Sequence, residues 1–271
     1  MHLSIQDRPP EEQGVRVLHA AFDAGMTLVD TADVYCLDHH DIGHNERLIA
    51  RALREWGGAA DTVLVATKGG MTRPEGRWER DGHPASLRAA CERSLRALGV
   101  ERIALYQLHA PDPGVPFLES VGALADLRRQ GKIGAVGLSN VSVAQLREAQ
   151  GVVEVATVQN RLNPFFREAL DDGVVAACAE RGIGFLAYSP VGGGRLSRKL
   201  PEHPVLAPLA RRLGATAHQL VLAWVRAQGA TVFPIPSARR VENVLASAAS
   251  ADLELDAETL AAIDGTRFSR E

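Results

Sequence analysis

The stretch Thr27-Leu28-Val29-Asp30-Thr31-Ala32-Asp33-Val34-Tyr35 begins as an apolar run and ends in a carboxylate and a phenol. An apolar run that turns abruptly polar is typical of a buried parallel strand that ends at a site. Asp30 and Tyr35 are five residues apart, at the point where the predicted strand ends. The stretch therefore predicts a strand that delivers an acid and a phenol to one place.

Two later apolar runs end in the same way. The run 62–67 leads to Lys68, and the run 103–108 leads to His109. The carboxyl ends of parallel strands lie on one face of a sheet or barrel, so these side chains should meet those of the first strand. We expect Asp30, Tyr35, Lys68 and His109 to converge.

The composition indicates a globular protein with one large core. The chain has 271 residues, is 46% hydrophobic and carries a formal charge of −3, which fits one large α/β domain as well as two small ones. Because no low-complexity tract or linker is evident, we expect a single domain spanning residues 1–271. The near-neutral charge argues against a nucleic-acid partner. The three cysteines are widely spaced and form no C-x-x-C motif, which favours a reduced, cytoplasmic setting. No signal peptide and no apolar run of about 20 residues is present, so we expect no membrane association and a monomer or weak homo-oligomer.

Strands alternate with helices along the chain, which is the pattern of an α/β fold with a parallel sheet. Polar residues follow every strand, and this favours a (β/α)8 TIM barrel over a doubly wound sheet, where only the ends near the switch point would be polar. The seven predicted strands end at Asp30, Lys68, His109, Ser139, Gln159, Tyr188 and Pro236. A closed barrel needs eight strands, and only residues 1–5 precede the first helix. We therefore expect the first strand and the N-terminal hairpin to be missing or truncated.

Two loops carry candidate functional residues. The loop 69–82 contains Met71 and Trp78, and a loop of this length is expected to form a pocket wall. The loop 37–44 contains three histidines but no cysteine or carboxylate at metal-ligand spacing, so we expect solvated histidines and no metal site.

Taken together, the motifs resemble those of the aldo-keto reductases. The resemblance rests on Asp30-Thr31-Ala32 with Tyr35, Thr67-Lys68, Leu108-His109, Gly137-Leu138-Ser139-Asn140, Gln159-Asn160, Ala187-Tyr188-Ser189-Pro190 and Ile235-Pro236. It covers the chain from residue 11 onward and implies a (β/α)8 barrel that reduces an aldehyde or ketone with NADPH. The absence of a G-x-G-x-x-G motif after a strand agrees with a cofactor site outside a Rossmann domain.

Four residues form a chemically coherent catalytic set. Carbonyl reduction needs a proton donor beside the oxygen, and a free Tyr has a pKa of about 10, which is too high for easy donation near pH 7. A neighbouring ammonium lowers a phenol pKa, so Tyr35 fits a general acid, Lys68 its activator and Asp30 the counter-ion of Lys68. His109 can orient the carbonyl oxygen. The alternative is a structural ion pair between Lys68 and Asp30.

The resemblance also implies cofactor contacts. Ser139, Asn140 and Gln159 would bind the nicotinamide amide, and Tyr188 would stack on the ring. The pyrophosphate would lie near Ser189 and the glycines at 192–194, and the 2′-phosphate near Ser237, Arg239 and Arg240. The full set is Ser139, Asn140, Gln159, Tyr188, Ser189, Gly192, Gly193, Ser237, Arg239 and Arg240. The glycines fit a flexible loop as well, and the arginines fit a solvated turn; two guanidiniums favour NADPH over NADH.

The sequence departs from the family in the region expected to bind adenine. The aligned stretch reads Leu245-Ala246-Ser247 where a Glu-Asn pair is usual, although Glu242-Asn243 lies nearby. We therefore expect weaker adenine contacts.

The small-molecule substrate stays open among pyridoxal-like aldehydes, sugars, methylglyoxal-type compounds and secondary-metabolite ketones. The candidate pocket walls are Val34, Met71, Trp78, Phe117, Phe165 and Phe166. Their apolar and aromatic character favours a carbonyl compound with some apolar surface. A second hypothesis is a non-catalytic NADPH-binding or partner-binding barrel, which the expected loss of the first strand favours.

Overall fold

The computed structural model describes residues 3–270. The chain divides into two compact units. One comprises the described residues up to Val158 together with Ser237–Val244, and the other comprises Gln159–Pro236 together with the described residues from Leu245 onward.

The first unit alternates helices and strands. Its elements are α1 (Glu11–Asp23), β1 (Leu28–Asp30), α2 (His44–Glu55), β2 (Leu64–Gly69), β3 (Met71–Thr72), β4 (Glu79–Arg80), α3 (Pro84–Leu98), β5 (Ile103–Leu108), α4 (Phe117–Arg129), β6 (Ile133–Ser139) and α5 (Val143–Gln150). The next strand, β7 (Val155–Arg161), begins in this unit and ends in the second.

Four strands of the first unit pair in parallel in the order β1-β2-β5-β6. The register sets Asp30 beside Ala66 and Lys68 beside Gln107. Since all four strands run in the same direction, their carboxyl ends form one edge, and residues that follow them share it. This is the edge at which the sequence places its candidate catalytic residues.

Apolar residues of α1 and α2 pack together against β1. Val17, Leu18 and Ile49 are each fully buried and pack in one cluster with Val29 of β1 and Phe22. The helix ends follow from local chemistry: Pro84 occupies the first turn of α3, where its missing N–H costs nothing, and Gly99 ends that helix in a left-handed conformation.

The second unit contains β8 and β9, which pair in parallel with Phe185 beside Val232. Its elements are α6 (Glu168–Asp171), α7 (Val174–Ala179), β8 (Gly184–Tyr188), α8 (Gly193–Ser197), α9 (Leu206–Arg212), α10 (Ala217–Arg226), β9 (Val232–Pro234), α11 (Val241–Ala249, which begins in the first unit) and α12 (Ala257–Asp264). Trp224 of α10 is fully buried and donates its indole N–H to Asp264 at the end of α12 over 2.8 Å.

All seven predicted strands are present, as β1, β2, β5, β6, β7, β8 and β9. Within the described residues, no strand precedes α1, and residues 3–7 form turns and bends. The predicted loop 69–82 contains a short antiparallel hairpin, in which Met71 pairs with Arg80. The segment from Glu168 to Ala179 is divided into α6 and α7, because Gly173 between them has a left-handed φ of 77°.

The single domain predicted over residues 1–271 stays a prediction, and its ends at Met1, His2 and Glu271 lie outside the described residues. Within residues 3–270, no helix has the length and apolar character needed to cross a membrane. In the same residues, no group of three or more His, Cys, Asp or Glu side chains is arranged to hold a metal ion.

Candidate active site

Lys68 lies at the centre of a hydrogen-bonded cluster at the carboxyl ends of β1 and β2. Its Nζ donates to Asp30 Oδ2 over 2.6 Å, to the backbone carbonyl of Thr31 over 2.8 Å and to Tyr35 Oη over 3.2 Å. The Lys68 side chain is fully buried, and that of Asp30 is 9% exposed. The structure therefore brings together three of the four residues predicted to be catalytic through direct contacts of one ammonium.

The charge of Lys68 is retained despite its burial. Burial by itself lowers the pKa of Lys68, but the neighbouring Asp30 carboxylate and Tyr35 oxygen outweigh it, and the net pKa is raised above its ordinary value. A buried ammonium 3.2 Å from a phenol oxygen favours the phenolate and so makes the phenol a better proton donor.

His109, directly after β5, completes the predicted set. Its ring lies edge-on to that of Tyr35, with 5.8 Å between the ring centroids. Burial, followed by the charge of Lys68, lowers the pKa of His109 to about 3, so the imidazole is neutral at physiological pH. His109 Nδ1 is buried and has no hydrogen-bond partner among the residues that the structure describes. A neutral ring keeps one N–H donor, which suits the orientation of a carbonyl oxygen.

Gln107, which was not among the residues predicted from the sequence, holds the second oxygen of Asp30. Gln107 Nε2 donates to Asp30 Oδ1 over 3.2 Å, and Gln107 Oε1 accepts from the Thr157 hydroxyl over 3.4 Å. Gln107 is fully buried in β5. Its position as a polar residue within the apolar run 103–108 is the sequence feature that could have identified it.

The β3–β4 hairpin places an indole beside the cluster. The Trp78 ring centroid lies 6.3 Å from that of Tyr35 and 6.3 Å from that of His109. The guanidinium of Arg73 stacks 4.0 Å from the Trp78 ring centroid and donates to the backbone carbonyls of Cys36 and Leu37. Trp78 is 47% exposed and is therefore available to contact a substrate.

The other predicted pocket residues of this unit differ in exposure. Val34 is fully buried, and Met71 is half-buried in β3. Their role as pocket walls stays a prediction.

Ser139 and Asn140 lie at the end of β6, next to His109. Asn140 Nδ2 donates to the backbone carbonyl of His109 over 3.0 Å and to Ser139 Oγ over 3.1 Å. Asn140 has a left-handed φ of 59°. Backbone conformations of this kind cost energy in non-glycine residues and are often retained at functional sites.

Three further candidates of the first unit follow β9 in the chain. Arg239 Nη2 donates to the Gln6 carbonyl over 2.9 Å, and the Arg239 carbonyl accepts from Gln13 Nε2 over 2.7 Å. Ser237 and Arg240 are exposed. Arg239 thus helps to hold the segment before α1.

The remaining candidates belong to the second unit. Gln159 is 2% exposed, and Tyr188 is half-buried with the Arg161 guanidinium 5.6 Å from its ring centroid. Ser189 has a left-handed φ of 50°, and its carbonyl accepts from Asn163 Nδ2 over 2.9 Å.

The glycines at 192–194 lead into a helix. Gly192 and Gly193 have left-handed φ values of 86° and 75°, and they lie at the start of α8.

Phe165, a predicted pocket residue, is 5% exposed, and its ring centroid lies 5.2 Å from that of Phe268.

Comparison with known proteins gives a consistent result. A sequence model described as the Aldo/keto reductase family matches residues 1–267. The glycerol dehydrogenase of Gluconobacter oxydans is 31% identical, with a TM-score of 0.81 over 95% of this chain and 86% of its own.

Two further solved structures give similar values. An aldo-keto reductase of Klebsiella pneumoniae in complex with NADPH is 29% identical, with a TM-score of 0.79 over 94% of this chain and 84% of its own. A thermostable aldo-keto reductase in complex with the inhibitor epalrestat is 28% identical, with a TM-score of 0.81 over 96% of this chain and 89% of its own. These similarities confirm the predicted fold class, an α/β fold of the (β/α)8 barrel type.

Proposed function

Because the chain belongs to the aldo/keto reductase family, we propose that it is an NADPH-dependent oxidoreductase that reduces an aldehyde or ketone to an alcohol. The observation that carries this proposal is the contact of Lys68 Nζ with both Asp30 Oδ2, at 2.6 Å, and Tyr35 Oη, at 3.2 Å. The family relationship supports the oxidoreductase class, and the contact supports the mechanism below.

In this proposal Tyr35 is the general acid. Reduction leaves negative charge on the carbonyl oxygen, and a phenol whose conjugate base is stabilised by the Lys68 ammonium can give its proton to that oxygen. Asp30 balances the buried charge of Lys68. His109 is neutral, because its pKa is lowered to about 3, and donates a hydrogen bond that orients the carbonyl oxygen.

The residues present fit a dinucleotide cofactor, and NADPH, when bound, would supply the hydride. Ser139 and Asn140 offer a hydroxyl and an amide that complement a carboxamide, and the left-handed φ of 59° at Asn140 is consistent with a backbone held for binding. An added Cβ at Gly193 would meet no atom within 4 Å among the described residues, so the backbone there is open to close approach.

The other cofactor contacts rest on the resemblance. Gln159 would bind the carboxamide, Tyr188 would stack on the nicotinamide, and Ser189 and Gly192 would lie at the pyrophosphate. The 2′-phosphate would be held by Ser237, Arg239 and Arg240, because a guanidinium can bind a phosphate through two parallel hydrogen bonds. The NADPH complex of the Klebsiella pneumoniae relative supports the choice of cofactor.

The indole of Trp78 supports a substrate with apolar or aromatic surface. Its ring lies 6.3 Å from that of Tyr35, so a carbonyl compound that reaches the phenol would pass beside it. Met71 and Val34 would complete the pocket.

The test compares the unchanged protein with Tyr35→Phe, which removes the phenol oxygen and keeps the ring. With a broad panel of aldehydes and ketones, we expect the unchanged protein to consume NADPH, seen as loss of its absorbance. Turnover by the variant should be lower by about 100-fold or more. NADPH binding, measured by nicotinamide fluorescence, should be equal in both.

Two results would contradict the proposal. Binding of NADPH by the unchanged protein without reduction of any panel member would favour a non-catalytic NADPH-binding barrel. Equal turnover by Tyr35→Phe would mean that another group gives the proton.

A further inference from the structure

Two polar residues in the first turn of α2 are buried behind the catalytic cluster. Asn45 and Glu46 are both fully buried, whereas polar side chains at the start of a helix commonly face solvent. Each one accepts a hydrogen bond from a threonine that is adjacent in sequence to a residue of the cluster. We call Asn45 and Glu46 the α2 anchor.

Asn45 is connected to Lys68 through Thr31. Asn45 Oδ1 accepts from the Thr31 hydroxyl over 2.8 Å, and the Thr31 backbone carbonyl accepts from Lys68 Nζ over 2.8 Å. Asn45 Nδ2 donates to Ser4 Oγ over 2.9 Å, so both ends of the amide are fixed. Thr31 is therefore hydrogen-bonded to the anchor through its side chain and to the Lys68 ammonium through its backbone carbonyl.

Glu46 is connected to the same lysine through Thr67. Glu46 Oε1 accepts from the Thr67 hydroxyl over 2.6 Å, and Thr67 immediately precedes Lys68 in β2. Burial raises the pKa of Glu46 above its ordinary value, although its hydrogen bond with Thr67 opposes the shift. The short contact fixes the end of β2 from which the Lys68 side chain extends.

A lysine side chain has four rotatable carbon–carbon bonds, and its ammonium must stay within reach of both a carboxylate and a phenol. We propose that Asn45 and Glu46 are positioning residues that, through Thr31 and Thr67, hold the Lys68 ammonium against Tyr35. This inference rests on the proposed function, because it assigns the anchor to the same proton-donating site. Small displacements of reacting groups can lower turnover by up to about 100-fold, so the geometry that the anchor sets has a measurable effect.

The competing explanation is that the anchor contributes only to stability. The two explanations differ in what they predict for the phenol of Tyr35. If the anchor holds Lys68, loss of either threonine hydroxyl moves the ammonium away and raises the pKa of Tyr35. If the anchor is only structural, the protein unfolds more easily and the Tyr35 titration does not change.

The experiment uses Thr31→Val and Thr67→Val, which remove one hydroxyl each at nearly constant volume. Thr31→Ser and Thr67→Ser restore the hydroxyl. Thr259→Val is the matched control, because Thr259 is also buried and hydrogen-bonded, but to Arg212 in the second unit. For each variant, kcat and KM, the pH dependence of kcat, and thermal unfolding are measured.

The titration of Tyr35 is measured separately, as tyrosinate absorbance relative to Tyr35→Phe. The chain has three tyrosines, and subtraction of the Tyr35→Phe curve isolates the one of interest. This measurement needs no substrate, so it distinguishes failure of the inference from failure of the proposed function.

We expect kcat to fall by about 10- to 100-fold in both valine variants, with the Tyr35 titration moved to higher pH and both effects reversed in the serine variants. The control should lose stability only. If the unchanged protein reduces no carbonyl compound but the valine variants still move the Tyr35 titration, the anchor is supported while the proposed function fails. If neither kcat nor the titration changes in the valine variants, or if serine does not restore them, the inference is overturned.

Discussion

Asp33 allows a quantitative prediction about how stability depends on pH. It is fully buried three residues after Asp30, and neither carboxyl oxygen has a hydrogen-bond partner among the described residues. Burial, followed by the charge of Glu46, raises the pKa of Asp33 from 3.8 to about 8, although Arg93 lies 3.5 Å away and opposes the shift. We predict that the Asp33→Asn variant gains stability, relative to the unchanged protein, as the pH rises.

The sign and size of this pH dependence follow from the difference in bound protons between the folded and unfolded states. Between about pH 4 and pH 8 the folded protein keeps the Asp33 proton and the unfolded chain releases it, so the free energy of unfolding falls as the pH rises. Each pH unit in this window lowers the free energy of unfolding by about 1.4 kcal/mol, and the whole window lowers it by at most about 6 kcal/mol. That is a large part of the 5–15 kcal/mol by which proteins are typically stable. Asparagine has a similar shape and no proton to lose, so it removes this slope.

The assay is urea denaturation followed by circular dichroism at about pH 5, 6, 7 and 8. The free energy of unfolding of Asp33→Asn relative to the unchanged protein should rise by about 1.4 kcal/mol per pH unit. Glu46→Gln should weaken the pH dependence as well, because it removes the neighbouring charge that helps to raise the pKa of Asp33. A difference between Asp33→Asn and the unchanged protein that is the same at all four pH values would refute the reasoning.

Two further predictions concern the cluster and its support. His109→Gln should lower kcat/KM by about 10- to 100-fold without changing the shape of the pH–rate profile, because the pKa of His109 is lowered to about 3 and the ring does not titrate near neutral pH; steady-state kinetics across pH checks this. Gly69→Ala should destabilise the protein by about 1–3 kcal/mol, because the added Cβ would lie 2.1 Å from the Tyr106 hydroxyl oxygen and 3.2 Å from Ala90 Cβ. The control Gly122→Ala, in α4, meets no described atom within 4 Å and should be neutral or stabilising in thermal unfolding.

The strands and the main catalytic candidates could be predicted because the signal is local. An apolar run that ends in Asp30, Lys68 or His109 is visible in a window of about ten residues. Parallel pairing then brings those ends to one edge, and the observed order β1-β2-β5-β6 does so. The roles of the cofactor residues came from the resemblance and stay predictions.

The supporting residues could not be predicted because their importance arises from packing between distant segments. Asn45 and Glu46 look like an ordinary helix start in sequence, and only their contacts with Thr31 and Thr67 distinguish them. The role of Gln107 could not be predicted for a similar reason, since its hydrogen-bond partner Asp30 is distant in the sequence.

The short helix α8 was not predicted from the sequence. A flexible loop was the alternative considered for the glycines at 192–194, yet the left-handed glycines at 192 and 193 lead into α8, where Leu196 is 3% exposed. Glycine permits both outcomes, and the buried leucine decides between them. The burial of Leu196 is a property of the folded unit and is not visible in the glycine run itself.

The charges at the edge of the sheet also explain why a tyrosine would be the acid. Lys68 is surrounded by acceptors that raise its pKa, so it holds its proton at neutral pH. His109 has a pKa of about 3 and therefore carries no extra proton to give. Of the groups around the Lys68 ammonium, the Tyr35 hydroxyl is the one that combines a proton with a stabilised conjugate base, since the ammonium lies 3.2 Å away. Lys68→Met should therefore raise the pKa of the Tyr35 phenol and abolish turnover, whereas turnover that is retained while the Tyr35 titration moves to higher pH would mean that another group gives the proton.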